Sequence, residues 1–377
     1  MFRFITCISI LFISMTAQAT SISCQKHACM AVIDAGSTGS RLHVYSYDLE
    51  GNNPVHIDEI FSKKIQPGIA SVDLNTASIN QYLDTLFSET SDKAIPVYFY
   101  ATAGMRLLSN EKQQIYYEKI RQWFEVNSQW PLLQAKTISG KEEGLYGWLA
   151  VNYGLGGLMA DDIPLAGVMD TGGASVQVTF PITNTEAVDN DSRIELDLYG
   201  KHFKLFVHSF LGLGQNELDH QYLDAANCFS KNYQLPNGTP AHGDFSLCKQ
   251  ETSSLINTIH HVDTIVKPVL ESNPVQAWYG IGAISYLVQT PPLKLTKNEF
   301  STQDLATWAD QEFCHQDWSS LNAQYPHNEY LYTSCLNASY FYALFTEGYG
   351  IKQDQAIHIL PKEQNKDDWT LGVVLHH

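Results

Sequence analysis

The sequence predicts an α/β protein built from two similar halves that face one another, and three observations carry this reading. Apolar runs with strand character alternate along the chain with segments of helical spacing. Residues 32–37 (VIDAGS) and 168–173 (VMDTGG) share the pattern apolar-apolar-Asp-x-Gly, each with a strand at once behind it, and their aspartates Asp34 and Asp170 lie 136 residues apart. At 377 residues the chain is long for one core, which leaves a domain for each copy of the pattern.

The first element, residues 1–19, reads as a secretory signal peptide: a charged start at Arg3, an apolar stretch to about Met15 and the small-x-small site Ala17-Gln18-Ala19. The rival reading, a membrane anchor, is disfavoured because the apolar run is short for a span. Residues 30–48 follow as two strands around the first turn. Residues 95–108 form a β-rich run that ends in a small-residue turn, and residues 110–127 form a helix with Ile115, Ile120 and Phe124 at helical spacing. Residues 136–156 read as a short strand, a turn and a helix starting near Glu142, and residues 164–182 as strand, glycine turn, strand. No later stretch is long and apolar enough to cross a bilayer. The mature chain is therefore expected to be soluble, and either secreted or periplasmic.

The formal charge of −17 argues against a nucleic-acid or anionic-membrane binder. An acidic protein that handles phosphates is expected to recruit a divalent cation. Of seven cysteines, Cys7 falls in the signal peptide. The other six suggest disulfides in an exported chain, and near neighbours are the expected pairs: Cys24–Cys29, Cys228–Cys248 and Cys314–Cys335. A zinc site is the weaker alternative, since no ligand spacing supports it. Asn190, Asn237 and Asn337 each open an N-x-[ST] sequon.

The turns hold the candidate chemistry. After Asp34 come Gly36, Ser37, Thr38, Gly39 and Ser40, whose backbone N–H groups and hydroxyls suit an anion, with Arg41 as either a phosphate contact or an ion-pair strut. One such turn reads equally well as an ordinary hairpin, but two of them, each with an aspartate at the strand end, suggest Asp34 and Asp170 flanking one Mg²⁺ or Ca²⁺ through its waters. Thr102, Ala103 and Gly104 offer a further small turn, with Arg106 beside it. Of Glu142 and Glu143, one is explained by a helix N-terminus. Gly144 behind them is costly in a helix by about 1 kcal/mol, which points to space for a ligand or a close helix contact and makes Glu143 a candidate general base.

Taken together, IDAGSTGSRLHVY, YATAGMRLL, SGKEEGLYGWLAVNY, GVMDTGGASVQVTF and DWTLGVVL resemble, in order, the five conserved regions of the apyrases, the nucleoside triphosphate diphosphohydrolases. The resemblance implies two RNase H-like domains of the actin/hexokinase/Hsp70 superfold around a central cleft. It divides the chain into domain I, residues 20–145 plus 351–377, and domain II, residues 146–350. It implies stepwise release of inorganic phosphate from nucleoside tri- and diphosphates. Glu143 is then the base, Ser175 and Gln177 hold the attacking water, and residues 37–41 and Gly172, Gly173 and Ala174 grip the phosphates. Asp34 and Asp170 hold the cation through water, with Thr102 close to metal and phosphate and Arg106 close to phosphate. Tyr286 and Tyr330 are candidates for stacking on the base, with core or loop packing the alternative for each. Trp369 packs near the cleft or in the core. The chain has fewer cysteines than membrane-bound apyrases and no terminal span, which suits a compact, exported, bacterial-type monomer. The rivals are an exopolyphosphatase or guanosine pentaphosphate phosphatase, a sugar kinase of the same superfold, and an inactive nucleotide-binding protein.

Overall fold

The computed structural model describes residues 24, 27–89, 94–127, 129–295, 297–361 and 368–377. The expected signal peptide, Cys7 included, lies outside them. Two sheets organise the chain. The first joins β1 (Ala28–Ala35), β2 (Ser40–Glu50), β3 (Asn53–Ile65), β4 (Val97–Ala101) and β5 (Leu132–Thr137) in the order β3-β2-β1-β4-β5. The second joins β6 (Gly167–Thr171), β7 (Ser175–Pro181), β8 (Arg193–Leu198), β9 (Lys201–Leu211), β10 (Trp278–Gly282), β11 (Glu299–Ser301) and β12 (Ala356–His358) in the order β11-β12-β10-β6-β7-β9-β8. Its inner five strands, β9-β7-β6-β10-β12, repeat the first sheet's order and directions: antiparallel across the first two pairings, parallel across the last two. The short sequence echo is therefore the visible part of a whole duplicated unit.

The two-residue period of a strand decides what each sheet face sees. In β1, Ala31 and Ile33 point to the outer core, beneath the helices Thr76–Phe87 and Asn110–Asn127. Met30 and Val32 point to a middle core shared by both halves. In β7 and β9, Val176, Val178, Phe206 and Phe210 face the outer core of the second half, while Leu205 and Val207 face the middle. Two helices fill this middle layer: Gly140–Gly154, which follows β5, and Trp369–His376, which follows β12. They occupy matching places in the two copies and pack on each other, where a Cβ on Gly372 would collide with the Tyr146 backbone.

Several expectations need correction. The division at residue 351 gives β12 to domain I, yet β12 pairs with β10 in the second sheet, as the counterpart of β5. The division at residue 145 cuts through the helix Gly140–Gly154. That helix starts at Gly140 rather than near Glu142, because Ser139 and Glu142 close a reciprocal capping box. Residues 103–106 are a short helix rather than an open turn. Within the helix Asn110–Asn127, Ile115 faces solvent, and the buried stripe is Tyr116, Tyr117, Ile120, Trp123 and Phe124.

The three disulfides pair as expected, Cys24–Cys29, Cys228–Cys248 and Cys314–Cys335. The sequon at Asn337 is buried inside the helix Ser334–Ala343, out of reach of a modifying enzyme in the folded chain. Among the described residues no helix is long and apolar enough to cross a membrane.

Candidate active site

The middle layer opens at one end into a cavity of about 200 Å³ between the two sheets. Strand alternation brings acidic and polar groups to it. Asp34 shares its face of β1 with Met30 and Val32, and Asp170 shares its face of β6 with Val168, so both carboxylates enter at the strand ends where the apolar core stops. The cavity is lined by Asp34, Ser37, Thr38, Thr102, Ala103, Glu143, Asp170, Gly172, Gly173, Ala174 and Ser175, together with Gly36, Gly282, Asp368 and Trp369. The two glycine loops approach until they touch, and a Cβ on Gly173 would collide with Ser37 Oγ.

Glu143 reaches the cavity from the first turn of its helix and is 7% exposed. Its neighbour Glu142 is spent on the cap, with Ser139 N donating to Glu142 Oε2 at 2.7 Å and Lys136 Nζ donating to its other oxygen at 2.6 Å. Gly144 is explained by packing rather than by a ligand. A Cβ there would lie 2.9 Å from Val207 Cγ1 and 3.0 Å from Thr179 Oγ1, and Thr179 donates to the Gly144 carbonyl at 3.1 Å. The glycine lets the helix lie on the second sheet, and this carries Glu143 to Gln177.

Behind the cavity wall, Gln177 Nε2 sits 3.1 Å from Glu143 Oε2, 2.7 Å from Ser175 Oγ and 3.1 Å from Ser209 Oγ. Arg106 forms an ion pair with Glu143 and donates to Ser175 Oγ at 3.2 Å. Burial raises the Glu143 carboxyl above its ordinary pKa, with Arg106 opposing.

Most of the other candidates lie apart from the cavity. The Ser40 hydroxyl accepts a hydrogen bond from Tyr82 at 2.8 Å and is fully buried. Gly39 packs against β3 and Gly104 against Ser37. Arg41 stands 3.8 Å from Asp368, as an ion-pair strut would. Tyr286 and Tyr330 meet edge to face, with centroids 5.3 Å apart, beside a small pocket that Gln215 also lines. Gln215 N donates to the Gly172 carbonyl, so this pocket adjoins the second glycine loop. Trp369 is 7% exposed and lies in the middle core at the cavity edge.

Three site residues escaped the sequence reading. Asp368 caps the helix Trp369–His376, accepting from Thr370 N at 3.0 Å and Thr370 Oγ1 at 2.7 Å. His43 is buried with Nε2 3.2 Å from Asp368 Oδ2 and Nδ1 2.5 Å from Glu59 Oε1. Burial alone would lower the His43 pKa, but the two carboxylates overcome it and raise it to about 9. Ser209 sits beside Gln177 on β9. Alternation in HFKLFVHSFL reveals the Ser209 face, but the pairing register that brings it to Gln177 is a long-range fact.

Burial, and then the charge of Asp368, push the Asp34 carboxyl up to about 7. An acid so placed is short of positive charge. The donors are carboxylate and hydroxyl oxygens, and among the described residues no three His, Cys, Asp or Glu side chains stand close enough to ligate an ion together. This donor set fits a hard divalent cation that keeps its waters.

Comparison with known proteins decides the family: the model of the GDA1/CD39 (nucleoside phosphatase) family matches residues 21–377. The chain belongs to that family. It is similar to ectonucleoside triphosphate diphosphohydrolase 1 of Rattus norvegicus, at 28% identity over 92% of this chain and 80% of the relative. Probable apyrase 4 of Arabidopsis thaliana is 26% identical over 91% of this chain and 78% of its own. Guanosine-diphosphatase of Saccharomyces cerevisiae is 34% identical over 54% of this chain and 42% of its own. Among solved structures, nucleoside triphosphate hydrolases from Neospora caninum superpose with a TM-score of 0.63 at 16% identity, covering 93% of this chain and 92% of theirs. The Ppx/GppA family member of Aquifex aeolicus follows with a TM-score of 0.56 at 14% identity, covering 93% and 97%. These likenesses establish the fold, two facing α/β units of the actin-like superfold. They place this family member and the polyphosphatase-like proteins on one scaffold.

Proposed function

We propose that this family member is an exported nucleoside tri- and diphosphate hydrolase that releases inorganic phosphate stepwise, from triphosphate to diphosphate to monophosphate. The observation that carries the reading is the convergence, from both halves, of two glycine loops, Glu143 and Ser175 on one cavity, with Gln177 and Arg106 bonded to them from behind its wall.

The loops over Ser37–Thr38 and Gly172–Ala174 bind the phosphate oxygens through backbone N–H groups and hydroxyls. Ser175 and Gln177 orient a water in line with the terminal phosphorus. Its oxygen attacks, the bond from phosphorus to the bridging oxygen breaks, and the water proton passes to Glu143. The leaving nucleotide departs with the bridging oxygen, and no phosphoenzyme forms. Thr102 faces the charge that builds on the equatorial oxygens, while Arg106 balances the buried charge of Glu143 from behind the cavity wall rather than touching phosphate. Asp34 and Asp170 would hold a divalent cation, which when bound would neutralise phosphate charge. Burial keeps Glu143 a stronger base than a solvated carboxylate, which suits proton removal near neutral pH. Tyr286 and Tyr330 offer aromatic faces for the base, and stacking tolerates every base. Three disulfides fit an oxidising compartment, as the expected signal peptide does. The proposed unit is a monomer.

Phosphate release from ATP, ADP, AMP and inorganic polyphosphate, with and without Mg²⁺ or Ca²⁺, tests the reading. Cation-dependent release from ATP and ADP but not AMP is expected. Release from polyphosphate alone would move the chain to the exopolyphosphatases.

A further inference from the structure

We propose that Ser209 is a positioning residue for the hydrolysis: its hydroxyl seats the Gln177 amide and one arm of the Arg106 guanidinium, and so keeps Arg106 from settling wholly on Glu143. The proposal rests on the reading of Glu143 as general base.

Ser209 lies opposite Gln177 in the β7–β9 register. It shares its face of β9 with Leu205 and Val207, which pack in the middle core, so its hydroxyl emerges where that core ends at the cavity wall. The oxygen is 3.1 Å from Gln177 Nε2 and 3.5 Å from Arg106 Nη1. The first residue of the Glu143 helix sits directly over this point. A Cβ on Gly140 would collide with the Ser209 side chain and with the Arg106 guanidinium. The helix that delivers the base thus begins on the serine, with a glycine where any side chain would displace it.

The balance of contacts on Arg106 explains why this matters. Its Nη2 faces Glu143 and Ser175 Oγ, its Nη1 faces Ser209, and its buried Nε has no partner among the described residues. Glu143 pulls on one arm of the guanidinium with a full charge, and Ser209 is what holds the other arm. Without that hydroxyl the second arm is free to turn onto the carboxylate that Nη2 already contacts, and a carboxylate clamped by both arms of a cation takes up a proton less readily. The Gln177 amide loses one of its three oxygen neighbours at the same time, which loosens its hold on the attacking water.

The test compares the parent with Ser209→Ala, Ser209→Thr and Glu143→Gln, using ATP with Mg²⁺ from about pH 5 to 9, with thermal unfolding recorded for each. For Ser209→Ala we expect kcat to fall about tenfold, with KM within about twofold of the parent. The acid limb of its pH–rate profile should move down by about half a unit. Ser209→Thr, which restores the hydroxyl, should recover most of the rate. A merely structural defect would lower the melting temperature without moving the acid limb. The proposal falls if Ser209→Ala keeps kcat within about twofold of the parent, if its rate drops with the acid limb unmoved, or if the threonine variant is as slow as the alanine. Should Ser209→Ala fail to fold, Ser209→Cys keeps the shape with a weak hydrogen-bonding group and is judged by the same criteria. Glu143→Gln separates the two readings. Its retaining parental activity would overturn the base assignment, whereas an inactive Glu143→Gln beside a normal Ser209→Ala overturns only the role of Ser209.

Discussion

Asp34 owes its place to parity: two residues on from Val32, it takes the middle-facing side of β1 at the point where apolar packing gives out. Its folded-state pKa of about 7 lies above the ordinary 3.8, so the fold is penalised by its ionisation as pH rises from 3.8 to about 7. A bound cation removes that penalty only where Asp34 is ionised. The stabilisation conferred by Mg²⁺ or Ca²⁺ in thermal unfolding should therefore be larger at pH 8 than at pH 6. An equal or smaller effect at pH 8 would contradict the assignment. Asp34→Asn should be more stable than the cation-free parent at pH 8, by about 2–4 kcal/mol, and should lose the cation response. His43 has the opposite sign. Its folded pKa of about 9 exceeds the ordinary 6.5, so its contribution is complete below 6.5 and is lost as pH rises through about 9. His43→Gln leaves Glu59 and Asp368 facing each other without the cation between them. Denaturant unfolding at neutral pH should show a loss of about 3–5 kcal/mol, and the variant should lack the parent's decline in stability between 6.5 and 9.

At the level of single elements, the helix Gly140–Gly154 shows what the sequence reveals and what it withholds. The pairing of one capping glutamate with one candidate base is legible, since a helix start has use for one capping carboxylate, and the structure puts Glu142 in the cap. Between the two uses read for Gly144, ligand space or a close helix contact, the sequence does not choose, because the residues it must clear, Val207 and Thr179, lie on strands far along the chain. The same limit hid Ser209, His43 and Asp368, whose neighbours are set by sheet register and by the crossing of the two middle helices. Asp34 and Asp170 were found because duplication prints the same pattern twice. Gly144→Ala is expected to push the helix off the second sheet at a cost of about 1–3 kcal/mol. Because Glu143 is the preceding residue, phosphate release should fall further than the stability loss alone explains. Urea unfolding and ATP turnover measured on the same preparation check both, and unchanged stability would show that the sheet yields there.

Over the whole molecule, the alternation of strands and helices and the repeated turn were enough to anticipate two facing α/β units. The exchange of chain at the C-terminus was not. β12 belongs to the second sheet, while the helix that follows it lies in the layer both halves share. Two of the disulfides, Cys228–Cys248 and Cys314–Cys335, lie in the second half and bind its helices together. Reduction is expected to lower the melting temperature, with the Cys228→Ala/Cys248→Ala variant losing about 2–4 kcal/mol, as read by calorimetry. The crossing of the middle helices also sets a timetable for synthesis. Val32 and Tyr45 share a core with Trp369, Val373 and Leu375, which are made much later. While the chain grows from the ribosome, the earliest sheet has one apolar face still waiting for its cover. The first sheet cannot finish burying its middle face until the helix Trp369–His376 has been made, so that face stays open for most of elongation.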